Sequence, residues 1–225
     1  MRLTKSTIQI LSNFASINSN IVIDQGNTIR TISEAKNILA KATVEETFDS
    51  EFGVYDLNEF LGVLKLVDNP NLNFQDDFVI ISDESGLTNI KYFFSDTEML
   101  TKAGKDVRMP EGDVKLDLSE DILQKLRSAA GALGHSEMLI QGIDNGLAKV
   151  TVTTSENSTA NTFSIEIPAT SDVYTYKFVY NINNLKMLSG DYEVEISSKL
   201  ISKLTNKSNG LQYWIALEKS STYGE

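Results

Sequence analysis

The hexapeptide Tyr55-Asp56-Leu57-Asn58-Glu59-Phe60 returns 125 residues downstream as Tyr180-Asn181-Ile182-Asn183-Asn184-Leu185. Both copies run aromatic, short polar, branched aliphatic, Asn, polar, large apolar. A second pair keeps the same order. Ile8-Gln9-Ile10-Leu11 follows a Thr/Ser-rich stretch, and Leu123-Gln124-Lys125-Leu126 follows Leu118-Ser119-Glu120-Asp121, at an offset of 115 residues. Both offsets approximate half of the 225 residues. One such match arises by chance; two in the same order argue for two copies of one domain of roughly 110 residues, within the usual size range. The domains read as 1–108 and 109–225. The connector, about 95–115, has no hydrophobic period and carries Gly104, Pro110 and Gly112.

Each half reads as a helix, a set of strands, a short second helix and more strands. Thr4 or Ser6 caps a first helix that buries Ile8, Leu11, Phe14 and Ala15 at spacings of three and four. Strands are expected at 21–23, 28–32 and 37–43, a helix from Tyr55 to Val67 ended by Asp68-Asn69-Pro70, then strands at 72–74, 78–82 and 89–94. In the second half a helix runs from Ser119 to Ala130. Strands follow at 138–141 and 148–153, joined by the hairpin signal Asn145-Gly146, and at 163–167 and 175–180. Ile182 to Leu188 reads as the fourth helix, stopped by Ser189-Gly190, before strands at 192–196, 200–205 and 211–218. The fold class is α+β.

A hydrophobic fraction of 41% supports a folded core, and no apolar run is long enough to span a bilayer. Met1-Arg2-Leu3-Thr4-Lys5 has no signal-peptide core behind it, so a cytoplasmic protein is expected. With zero cysteines, disulfides, thiolate metal sites and thiol chemistry are excluded, and Asn157-Ser158-Thr159 reads as unglycosylated. His135 is the only histidine and has no partners for a metal site or catalytic dyad; a cap or surface role is expected. No glycine-rich phosphate loop is present, and Gly131-Ala132-Leu133-Gly134 reads as a helix terminus. Trp214 reads as core. No enzyme, metal or cofactor is expected.

The net charge of −11 is unevenly placed. The first acid is Asp24, so the first helix, with Arg2 and Lys5, is a basic island. The helix from Ser119 has acids only in its first turn, where the dipole favours them, then Lys125 and Arg127. The stretch between Asp172 and Asp191 encloses the fourth helix with Lys177 and Lys186 and no acid, while the second helix mixes Asp56 and Glu59 with Lys65. Lys5, Gln9, Ser12 and Asn13 fall opposite Glu120, Gln124, Arg127 and Ser128 at the 115-residue offset, one polar stripe per half. Such stripes suit a phosphate backbone that is touched without being gripped.

The opening Met1-Arg2-Leu3-Thr4-Lys5-Ser6-Thr7-Ile8, the run Leu11 to Ser19, Val54 to Leu64 and Phe178 to Met187 resemble the sliding clamps of T-even-type bacteriophages over nearly the whole length. The resemblance implies two domains of the DNA-clamp fold per chain, closing as a homotrimeric ring around double-stranded DNA, with helices inside and sheets outside. It implies a processivity factor that tethers the phage DNA polymerase, is loaded by an ATP-dependent clamp loader, and assists late transcription with RNA polymerase, in the cytoplasm of the infected host. By the same resemblance Arg2, Lys5, Gln9, Ser12, Lys65, Gln124, Lys125, Arg127 and Lys186 face DNA.

Clients of sliding clamps insert a short hydrophobic peptide beside the connector. The matching material here is Met109, Pro110 and Leu116, with Tyr213, Ile215 and Leu217 on one alternating face of the last strand, flanked by Glu111 and Asp113. Two other classes fit less well. A phage structural or attachment protein with duplicated β-rich domains has no use for basic helical stripes. A single-strand binder needs aromatic residues among the basic ones.

Overall fold

In the computed structural model of the chain, which describes residues 1–104, 108–157 and 159–224, two residues 115 positions apart start helices in the same way. Thr4 (φ −69°, ψ 158°) and Ser119 (φ −71°, ψ 158°) are extended, and their side-chain oxygens accept from the amides of Thr7 and Ile122. Each satisfies one donor that a helix start leaves open, worth about 1 kcal/mol. The helices are α1 (Lys5–Ile17) and α3 (Glu120–Leu133). Each also receives a distant carboxylate. Glu46 accepts from the Thr4 amide and the Thr7 hydroxyl, and Asp191 accepts from the Glu120 amide at 2.8 Å. After each helix a serine carbonyl anchors the repeated hexapeptide: Leu57 N–H donates to Ser19 and Ile182 N–H to Ser136, both at 2.7 Å. The repeat in the sequence is a repeat of anchoring bonds.

The chain divides into two units, Met1–Lys105 and Asp106–Glu225. In the first, α1 buries Ile10, Leu11, Phe14 and Ile17. β1 (Ile21–Ile23) pairs with β4 (Phe52–Val54), and β2 (Gly26–Ile32) with β3 (Ile38–Phe48), all antiparallel. α2 (Leu57–Leu64), capped by Asp56, turns Leu57, Phe60, Leu61 and Leu64 inward. β5 (Asn71–Phe74), β6 (Phe78–Ser82) and β7 (Asn89–Phe93) form a meander. Phe48, Phe52, Phe74 and Phe94 interlock, with ring centroids 4.8 to 6.1 Å apart. Each buried ring or aliphatic side chain contributes about 1.5–3 kcal/mol.

The second unit is one antiparallel sheet under α3. Its strands are β8 (Val114–Leu118), β9 (Glu137–Ile143), β10 (Leu147–Thr153), β11 (Phe163–Ser171), β12 (Tyr176–Asn181), β13 (Tyr192–Ser197), β14 (Ile201–Asn206), β15 (Gln212–Ala216) and β16 (Thr222–Tyr223). They lie in the order β16-β12-β9-β10-β11-β8-β13-β14-β15. Asn145 (φ 69°) and Gly146 (φ 72°) make the expected turn between β9 and β10, the two positive φ angles that such a hairpin requires. α3 packs on β10 and β11 through Leu123, Leu126 and Ala130.

Several expectations need correction. Ile182–Leu188 is not a helix: a single 3-10 turn over Ile182–Asn184 gives way at Leu185 (φ −78°, ψ 56°). Leu185 and Met187 are both buried while Lys186 between them is exposed, an alternation that extended backbone satisfies and a helix does not. The Arg127 guanidinium donates to the Leu185 and Met187 carbonyls at 2.7 and 3.3 Å, replacing helical donors. The second helix is shorter than expected at both ends, β3 is longer, and β4 and β16 had no clear signal. The expected connector ends in strand, because β8 begins at Val114; residues 105–107 lie outside the described residues, as does Ser158 of Asn157-Ser158-Thr159.

Candidate functional site

Lys5, Gln9, Ser12 and Ser16 are exposed along α1 at helical spacing, with no carboxylate anywhere in the helix. On α3 the exposed residues past the first turn are Gln124, Lys125, Ser128, Gly131 and Ala132. Both stripes are short or polar, so a large ligand could approach the helix closely. Lys125 pairs with Asp121 at 2.6 Å on the surface, a contact of about 0.3–0.5 kcal/mol that a phosphate could displace. The Gln124 amide reaches Glu120 at 3.4 Å.

The other residues expected to face DNA differ in character. Lys65 is exposed at the C-cap of α2. Arg2 is exposed and paired with Glu84 at 2.8 Å. Lys186 is exposed on extended chain rather than on a helix. Arg127 is half-buried and holds the segment after the 3-10 turn, so its first role is in the fold.

The expected client groove is largely closed. Leu116, Tyr213 and Ile215 are at most 5% exposed and Leu217 is 7% exposed. Trp214 is buried as well, so β15 has no open alternating face; it is covered on both sides. The Tyr213 hydroxyl accepts from the Leu188 amide at 3.2 Å, and burial pushes its ionisation far above the usual phenol range. Asp113 accepts from the Ser198 amide at 2.6 Å and the Ser197 hydroxyl at 3.3 Å, fixing the turn between β13 and β14. Only Met109 and Pro110 of the six residues are partly open, beside the exposed Glu111.

His135 follows the left-handed cap Gly134 (φ 68°), and its Nε2 lies 2.9 Å from the Asn161 carbonyl. Among the described residues no cluster of acidic or histidine side chains fits a metal ion, and no helix is long and apolar enough to cross a membrane. Sequence reasoning missed Glu46. The signal was present: Ala42, Val44, Glu46 and Phe48 alternate on one face of β3 and all are buried. Burial alone would raise the Glu46 pKa, but hydrogen bonds from Thr7 and the Thr4 amide outweigh it and hold the carboxyl below its ordinary range.

Comparison with known proteins gives consistent matches. The profile of the family described as DNA polymerase processivity factor matches residues 4–91, and that described as gp45 sliding clamp, C terminal, matches residues 114–219. The sliding clamp of Vibrio phage KVP40 is 36% identical over 97% of this chain and 99% of its own. The sliding clamp of Escherichia phage RB69 is 30% identical, with 99% of each chain covered. Among solved structures, PCNA from Thermococcus kodakaraensis superposes with a TM-score of 0.70 at 13% identity, covering 95% of this chain and 96% of that one. The Helicobacter pylori beta clamp bound to a DNA ligase peptide gives 0.68 at 11% identity, covering all of this chain and 67% of that one. At such identities the likeness speaks to the fold.

Proposed function

Because the chain belongs to the family of bacteriophage sliding clamps, non-enzymatic DNA polymerase processivity factors with two domains of the clamp fold, we propose that it closes into a homotrimeric ring around double-stranded DNA. The helices line the hole and the sheets face out. The observation that carries this reading is the pair of exposed stripes on α1 and α3. They occupy equivalent places in the two units, tied by the same cap and the same serine anchor, and each helix start also meets a carboxylate from a different part of its own unit. In a chain of net charge −11 they hold lysine, glutamine and serine, with acids confined to the first turn of α3. Weak, scattered contacts of this kind attract the phosphate backbone without fixing a register, as sliding requires. A structural or attachment role leaves these stripes without purpose.

The ring tethers the phage DNA polymerase, is opened by an ATP-dependent clamp loader, and assists late transcription with RNA polymerase, all in the cytoplasm of the infected host. Lys5, Gln9, Ser12, Lys65, Gln124, Lys125 and Lys186 meet the duplex, with Arg2 at the rim and Arg127 behind them. Clients enter beside Met109 and Pro110, with the buried Leu116, Tyr213, Ile215 and Leu217 supporting that place from within. Primer extension by the cognate polymerase in the presence of a competitor DNA trap tests the reading. Product length should rise on adding this protein with loader and ATP; unchanged length with an active loader would refute it.

A further inference from the structure

The tripeptides Asn145-Gly146-Leu147 and Asn209-Gly210-Leu211 are identical, and in both the asparagine and glycine are exposed between two antiparallel strands. Asparagine followed by glycine is chemically unstable in water. The glycine amide nitrogen, once it has lost its proton, attacks the asparagine side-chain carbonyl carbon, and no side chain on the glycine hinders the approach. Two conditions decide whether a folded chain allows this. The glycine N–H must be open to solvent base, and the asparagine side chain must be free to swing its Cγ onto that nitrogen.

The second copy meets neither condition. Gly210 N–H donates to the Asn206 carbonyl at 3.0 Å, and the Asn209 Oδ1 accepts from the Leu211 amide at 3.0 Å. The anchor is buried: Asn206 is 2% exposed, and its Oδ1 accepts from the amides of Ser208 and Asn209 at 3.0 and 3.3 Å. The first copy meets both. Among the described residues, neither the Asn145 side chain nor the Gly146 N–H has a hydrogen-bond partner. The turn is held instead through the Gly146 carbonyl, which accepts from Ala169 N–H at 2.9 Å, and through the pairing of Ile143 with Leu147.

We propose that Asn145 is a site of spontaneous deamidation, with water as the only co-reactant, and that the fold protects Asn209. The Gly146 nitrogen gives its proton to solvent base and bonds to the Asn145 Cγ. The Cγ–Nδ2 bond breaks, and the amide nitrogen leaves as ammonia with a proton from water. Water then opens the resulting succinimide. Cleavage at the side-chain carbonyl yields aspartate; cleavage at the main-chain carbonyl yields isoaspartate, in which the backbone runs through Cγ and is one atom longer. Either product adds a negative charge, but only isoaspartate disturbs the sheet. β11 pairs with β10 up to Pro168 and with β8 from Ala169 on, so the Gly146–Ala169 bond holds it at its change of partner. An extra atom just before Gly146 displaces that carbonyl from the Ala169 amide. Age thus writes a covalent mark into the second unit at one chosen turn.

The full chain is incubated at mildly alkaline pH, folded or in concentrated urea, and digested for peptide mass spectrometry. Isoaspartate is counted by methyl transfer from S-adenosylmethionine with an isoaspartyl methyltransferase. In the folded protein Asn145 should react roughly tenfold or more faster than Asn209, because two hydrogen bonds must break before attack at the second site. In urea the two identical tripeptides should react at similar rates. Asn145→Gln should remove nearly all methyl-accepting sites from the folded protein, and Asn209→Gln almost none. The isoaspartate-bearing fraction, separated by charge, should melt roughly 3–6 °C below Asn145→Asp, which carries the same charge on a normal backbone. Equal rates at the two sites in the folded chain, or an Asn145 that stays intact there while both sites react in urea, would overturn the assignment. An isoaspartate fraction that melts with Asn145→Asp would overturn the effect on the sheet.

Discussion

Glu46 is a carboxylate inside a β-strand, 8% exposed, with its two oxygens committed to the start of α1. Glu46→Gln keeps the volume but leaves one acceptor oxygen and no charge at the helix N-terminus. Hydrogen bonds to a charged acceptor contribute about 1.5–3 kcal/mol and a charge at the dipole about 0.3–1 kcal/mol; with partial replacement by the amide, the expected loss is about 1–2 kcal/mol. Glu46→Ala also strands a buried hydroxyl and an amide and should lose about 3 kcal/mol. For a unit of this size the glutamine variant should melt roughly 5–10 °C lower. Because the folded pKa lies below the unfolded value of about 4.3, the stabilisation is complete above that value and disappears as pH falls through the folded pKa. Urea unfolding of wild type and Glu46→Gln at a series of pH values reads this directly. The gap should be full at pH 7 and close towards pH 3. A glutamine variant within 0.3 kcal/mol of wild type at neutral pH, or a gap that persists unchanged in acid, would refute the reasoning.

Further outcomes follow from the same contacts. Lys5→Glu with Lys125→Glu should reduce salt-sensitive DNA binding and processive synthesis while lowering unfolding free energy by no more than about 1 kcal/mol, because both side chains are exposed and the loss is confined to the surface pair of Lys125 with Asp121 and the like charges that replace it. Arg127→Ala should instead cost about 1.5–3 kcal/mol by orphaning the Leu185 and Met187 carbonyls, measured by denaturant titration. Met109→Ala should weaken binding of the polymerase C-terminal peptide with the fold intact, whereas Leu116→Ala should lose about 2–5 kcal/mol of stability as a core truncation, read by calorimetric titration and melting. Gly142→Ala would place a methyl 2.0 Å from the Tyr174 carbonyl oxygen and should cost about 3 kcal/mol or more, visible as loss of cooperative melting.

Helix starts and hairpins were readable from the residues because their causes are local. Thr4, Asp56 and Ser119 cap where their side chains can reach an amide three residues on, and Asn145-Gly146 turns where two positive φ angles are needed. The fourth helix was misread because its fate depends on Arg127, which lies far away in sequence and takes the carbonyls that a helix would use. The repeated tyrosine misleads for the same reason: Tyr55 is 71% exposed and Tyr180 is 1% exposed, although their neighbours match. The stripes on α1 and α3 were visible in helical periodicity. The client groove was not, since alternation along β15 assumes one wet face and tertiary packing covers both.

Encirclement itself is tested most directly by cutting the DNA. The protein is loaded on a nicked circle by loader and ATP, washed at moderate salt, and the circle is then opened with a single-site nuclease while bound protein is followed by fluorescence. A closed ring held by topology stays on the intact circle and leaves within the time needed to slide off the new ends, with little dependence on salt before the cut. Equal retention on circular and linear DNA, or loss from both as salt rises, would contradict the account.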